Sequence, residues 1–248
     1  MTNRFAQIGI DRLIRLRWLE QTASLALTGN DVAAVKSAIR EELQPEFPTS
    51  DANVRGSLDK TITILMKIWA RVPSQLEPLH EEGLRLFLTL PKDRHIALHW
   101  GMTMAVYPFW GAVAQQVGRL VHLQESFEPR QIQRRLRELY GERETVSRRV
   151  RYLLRSYVDW GVLRDKTKGV YIQGDIYAIQ QPELIAWMTE AYLNAQPNGK
   201  ASIREILNSP SLFPFRLAPF SADAIVARSP RLELLRHGLD DELIMLEQ

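Results

Sequence analysis

Between Phe127 and Ile172 the chain carries Pro129, Gly141, Gly161 and Gly169, and their spacing limits the fold more than any other feature. A proline is tolerated at the first residue of a helix, where its fixed φ suits the turn and its missing N–H has no partner to lose. Pro129 therefore opens a helix over Arg130 to Tyr140, with Ile132, Leu136 and Leu139 on one face, and Gly141 breaks it. Thr145 is expected to cap a second helix over Val146 to Trp160, ended by Gly161. Val162-Leu163 then starts a strand, Arg164 to Gly169 reads as a hairpin tip, and Val170-Tyr171-Ile172 returns. Helix, glycine turn, helix, hairpin is the order of a winged helix-turn-helix, with Trp110 to Leu123 as its first helix.

The preceding residues read as helical. Helices are expected over Asp11 to Leu27, Val32 to Leu43 behind an Asp31 cap, Leu58 to Trp69 and Ser74 to Leu88, with a turn-rich stretch from Gln44 to Ser57. Asp93 to Gln124 is apolar, and Gly101, Pro108 and Gly111 divide or kink it. Its aromatic run Tyr107, Phe109, Trp110 reads as core. After Ile172, helices are expected at Pro182 to Asn194, Ser202 to Leu207 and Ser221 to Ala227, with a turn at Asn198-Gly199. A closing hairpin joins Leu232–Leu235 to Leu243–Leu246. The expected architecture is mainly α. A helical N-terminal body (1–107) leads into a winged helix-turn-helix with a small β-hairpin wing (108–172). A smaller α+β C-terminal module (173–248) follows, whose order leaves open a second, degenerate winged helix.

The net charge is +3, but its placement is uneven. Phe127 to Ile172 holds twelve Lys/Arg against six Asp/Glu, a balance of +6, so the remainder stands at −3. A cationic balance confined to one short segment is the footprint of a nucleic-acid-binding module. Val146, Val150, Leu153 and Tyr157 recur at one helical stripe, which turns Ser147, Arg148, Arg151 and Arg155 outward. Glu144, Thr145, Ser147, Arg148 and Arg151 then lie where a recognition helix meets base edges. Arg130, Arg134, Arg135 and Arg137 on the preceding helix suit phosphates, and Arg164, Lys166 and Lys168 at the hairpin suit an adjacent groove. Binding to double-stranded DNA is the expectation. Two other readings stay open, a protein-assembly adaptor and a ligand-responsive regulator with a pocket near Trp100 to Trp110, with RNA as a further possible partner. Local pairing of Glu138 with Arg134 or Arg135, and of Glu144 with Arg148, would weaken the DNA reading. The last hairpin carries Asp240, Asp241 and Glu242 and is not expected to touch DNA.

Other chemistry finds little footing. The chain has no cysteine, which removes disulfides, thiolate catalysis and cysteine-bound zinc, and suits a reducing cytoplasm. No apolar run approaches a membrane span, and the basic start has neither signal nor transit character. His95 and His99 have the spacing of a metal half-site, but no third ligand stands near them in sequence. No phosphate-binding glycine loop or nucleophile elbow occurs. A non-enzymatic protein without cofactor or metal, and with no membrane partner, is expected.

Thr145, Arg148, Leu153, Gly161, Val162 and Leu163 follow the pattern T-x-x-(R/K)-x-x-x-x-L-x-x-x-x-x-x-x-G-(V/I/L)-L, and Tyr107-Pro108 enters a helix within the run His99 to Val117. In these features the chain resembles the BrxA family of BREX phage-defence systems, over about residues 10 to 172 in architecture. The resemblance implies a small DNA-binding component with winged-helix elements, no known catalytic residues, and other defence-system proteins as partners.

Overall fold

The segment His95–Val106 has no polar stripe, and it forms a helix buried over its whole length. A helix without a solvent face must be surrounded by other elements. The structure, a computed structural model, describes residues 4–29, 31–47, 52–237 and 241–247. Its helices are α1 (Leu16–Ala26), α2 (Val32–Leu43), α3 (Ala52–Trp69), α4 (Glu77–Thr89), α5 (His95–Val106), α6 (Pro108–Leu123), α7 (Pro129–Tyr140), α8 (Glu144–Asp159), α9 (Pro182–Asn194), α10 (Ile203–Leu207) and α11 (Ala222–Val226). Its strands are β1 (Leu163–Thr167), β2 (Val170–Gln173), β3 (Tyr177–Ile179), β4 (Lys200–Ser202), β5 (Phe215–Leu217), β6 (Leu232–His237) and β7 (Asp241–Leu246). The fold is mainly helical with small sheets and a C-terminal α+β part. Helices α1, α3, α4, α6 and α9 all pack on α5. One hydrophobic interior runs from Ile10 to Ile244 through all three expected segments. Among the described residues no helix is long and apolar enough to cross a membrane.

Gly101 does not divide the apolar stretch. It lies inside α5, where a Cβ would come within 2.5 Å of the Trp187 ring of α9, so it marks a close helix–helix contact. The break falls at Tyr107, because a residue before proline is pushed out of the α region, and Pro108 opens α6. The aromatic run packs as expected. Trp110 meets Tyr157 edge-on at 4.6 Å and Trp160 at 4.8 Å, and the Tyr157 hydroxyl donates to the Trp110 carbonyl at 2.8 Å. Each such ring pair adds roughly 0.5–1.5 kcal/mol to its area burial. The space around Trp100 and Trp110 is thus filled by Tyr157, Trp160 and Phe213 rings.

Three boundaries differ from expectation. Helix α1 starts at Leu16 and not at Asp11, because the backbone before it is engaged by α8. Ile14 N–H donates to Ser156 Oγ (2.9 Å), Trp160 Nε1 donates to the Ile14 carbonyl (3.0 Å), and Leu16 N–H donates to Asp159 (2.9 Å). Helix α3 starts at Ala52, so the turn-rich stretch is shorter than expected; its residues 48–51 lie outside the described residues. Helical glycine costs about 1 kcal/mol, and the buried stripe Leu58, Ile62, Leu65, Trp69 outweighs Gly56. The segment Ser74–Leu76 is a short 3-10 turn leading into α4. By contrast, α2 and α9 have the expected bounds, and Asp31 accepts from Ala34 N–H at 2.8 Å. The closing hairpin forms as β6–β7 with β4 along the far edge of β7, while the parallel pair β3–β5 was not foreseen. Residues 238–240 of that hairpin, Asp240 among them, lie outside the described residues; Asp241 and Glu242 belong to β7.

Candidate nucleic-acid interface

The cationic segment forms one connected unit. Gly141, at φ +93°, reverses the chain after α7, and only Glu142 and Arg143 separate it from α8. The turn is so short that α8 begins at Glu144. Thr145 is therefore the second residue of the helix and not its cap; Arg143 holds that position. Gln133 Nε2 of α7 donates to the Ser147 carbonyl of α8 at 3.1 Å. Phe127, between α6 and α7, exchanges two 2.9 Å backbone hydrogen bonds with Tyr171 of β2. Helices and hairpin are thereby held together.

Helix α8 divides as its periodicity requires. Val146, Val150, Leu153 and Tyr157 are all 0% exposed. Glu144, Arg148, Arg151 and Arg155, spaced by four, three and four residues, form an exposed stripe on the opposite side. Thr145 and Ser147 are half-buried at its flank. Arg149 is turned away and donates to the Gly9 carbonyl at 2.5 Å, tying the N-terminal segment to α8. On α7 the expected apolar face is only partly right. Ile132 and Leu136 are buried, but Leu139 is 68% exposed. It lies beyond the strip that α8 covers, and Tyr140 packs on Phe109 in its place.

The structure separates the candidate cations by their partners. Arg130 pairs with Glu128 (2.9 Å), Arg135 with Glu138 (3.7 Å) and Arg137 with Glu142 (3.6 Å). Arg155 grips both oxygens of Asp165 at 2.9 and 2.8 Å, and Arg164 pairs with Asp175. Asp165 and Asp175 are partners that the sequence reading overlooked; Asp165 was visible in the hairpin but its register was not. Arg164, Asp165 and Lys166 lie within β1 and not at the tip, which is Lys168-Gly169, with Gly169 at φ +78°. The register irregularity after Asp165 keeps β1 paired up to Thr167. Arg134, Arg148, Arg151, Lys166 and Lys168 are exposed and form no ion pair among the described residues. The Glu138 pair forms with Arg135; a Glu144–Arg148 pair is not among those present in the described residues.

A second polar cluster lies elsewhere. His95 Nδ1 and His99 Nε2 each stand 2.9 Å from an oxygen of Glu20, one on each. Glu20 is on α1, and nothing in the sequence near the histidines signals it. Trp69 Nε1 donates to His99 Nδ1 at 3.0 Å, so the His99 proton sits on Nε2 and points at the carboxylate. A metal-bound histidine donates its second nitrogen outward, which Trp69 prevents; the cluster reads as a structural clamp between α1 and α5. Burial pushes the Glu20 carboxyl up, but hydrogen bonds from His99 and His95 outweigh it and hold the pKa at about 2. Burial pushes His99 below its ordinary value against the pull of Glu20.

No family model, curated protein or solved structure matches the chain.

Proposed function

We propose that the chain is a non-enzymatic double-stranded DNA-binding protein, that α6, α7, α8 and the β1–β2 hairpin form a winged helix-turn-helix, and that α8 enters the major groove. The carrying observation is the joining of unpaired cations on three elements. The Arg155–Asp165 ion pair ties the exposed stripe of α8 to β1, beside Lys166 and Lys168, and Gln133 ties it to α7, beside Arg134. The return of Phe127 to Tyr171 supports the winged reading, since it adds a third strand-like pairing to the hairpin. In this assignment Arg134, Arg148, Arg151, Lys166 and Lys168 meet the duplex directly. Arg155 and Arg164 shape the wing, and Arg130, Arg135 and Arg137 lie at the margin. Residues 108–172 are the DNA-binding module, between a helical body (1–107) and the C-terminal module (173–248). The resemblance to the BrxA family at Thr145, Arg148, Leu153 and Gly161 to Leu163 supports placement as an accessory component of a bacterial phage-defence system in the cytoplasm.

The test is a salt titration of duplex binding by fluorescence anisotropy. Five cations that all neutralise phosphates give a log–log slope of about −4.5. A flat response excludes the reading. The exposed Leu123 and Leu139, at 77% and 68%, favour the adaptor alternative, in which the same surface meets protein. That alternative gives no measurable duplex binding.

A further inference from the structure

Glu144 is the acid at the head of an exposed α8 stripe whose next three members are arginines. It is exposed, opens the stripe shared with Arg148, Arg151 and Arg155, and forms no ion pair among the described residues. Against phosphates alone it is unfavourable, because it repels the backbone that the arginines attract. A carboxylate accepts hydrogen bonds and donates none. In the major groove cytosine N4 offers a donor with no acceptor beside it on the same base, whereas the adenine donor N6 lies next to the acceptor N7. Glu144 and Arg148 are one helical turn apart, a rise of about 6 Å, which spans one to two base-pair steps of about 3.4 Å. Arginine takes guanine O6 and N7 together.

We propose that Glu144 is a specificity-determining residue that reads cytosine N4, with Arg148 reading a guanine one or two base pairs away, so that the preferred duplex contains a C·G-rich step. The inference rests on the DNA-binding reading and deepens it. It requires α8 to face base edges at its N-terminal turn, where Thr145 and Ser147 are drawn in toward the body and Glu144 stands clear.

The experiment is selection from a random duplex library with full-length wild type, Glu144→Gln and Glu144→Ala, joined to melting curves and salt titrations of each. Wild type should enrich cytosine at one position, at least about fivefold over other bases. Glu144→Gln should move that position toward adenine, which glutamine grips at N6 and N7. Glu144→Ala should flatten it and bind random duplex more tightly. A role confined to the helix dipole moves the melting temperature and leaves base preference alone. Salt-steep binding by wild type with no cytosine preference, or one preference shared by all three proteins, overturns this assignment and spares the DNA-binding reading. Absence of salt-steep binding by wild type removes both.

Discussion

The hairpins β1–β2 and β6–β7 are both antiparallel ribbons, yet they treat charge and edges differently. In β6–β7 the cation Arg236 is held by Glu242 at 3.2 Å and also by Asp223, and β4 lies along the outer edge of β7. In β1–β2, Arg164 is held by Asp175, but Lys166 and Lys168 are exposed and form no ion pair among the described residues. The bridge to Phe127 is a backbone pairing that ties this ribbon to the segment before α7. The difference teaches that pairing decides whether a hairpin offers charge to a ligand. An ion pair already made must be broken before its cation meets a phosphate.

Removing the support of the first hairpin gives the largest expected effect. Val150 is 0% exposed beneath the cationic stripe, so Val150→Asp buries an unpaired charge at a cost of roughly 3–5 kcal/mol. Early thermal unfolding by circular dichroism, with loss of duplex binding, is expected. A Val150→Asp protein that melts like wild type means that α8 is rotated from the orientation described.

The next effect belongs to neither hairpin and serves as their control. Glu20→Ala leaves buried imidazole N–H groups without an acceptor, at a cost of about 1–3 kcal/mol. The wild-type pH dependence follows from two depressed values. His99 and Glu20 both take up protons more readily in the unfolded chain, so stability falls as pH falls. The histidine contribution is complete above 6.5 and declines below it. The Glu20 contribution is lost between 4.5 and about 2. Urea unfolding across pH should show the lower decline in wild type and not in Glu20→Ala.

Smaller effects then separate the free cations from the paired ones. Arg148→Ala and Arg151→Ala should each keep the wild-type melting temperature. An arginine reading guanine costs about 1–3 kcal/mol of affinity when removed and relaxes one base position; one holding phosphate shrinks the salt slope by about 1 instead. Lys166→Ala with Lys168→Ala should weaken duplex binding by roughly threefold to tenfold. Arg236→Ala on the other hairpin should leave it unchanged. Equal losses from the two hairpins in anisotropy would erase the distinction drawn between them.

The sequence by itself determined the elements whose limits are local. Asp31, Pro182, Pro129, Gly141 and Gly169 each act through the backbone of their immediate neighbours, and the helices and turns that they bound were legible without tertiary information. The burial of Val150 and Leu153 opposite Arg148 and Arg151 was equally legible, because a helix converts spacing directly into facing. Only the tertiary structure decided that Arg155 and Arg164 are neutralised by Asp165 and Asp175, that Leu139 stays in water, and that Glu20 crosses from α1 to clamp two histidines of α5. Charge pairing and burial depend on which surfaces meet, and the Glu20–His99 contact joins residues 79 apart in the chain. Backbone preference acts over a few residues and carries no record of that distance.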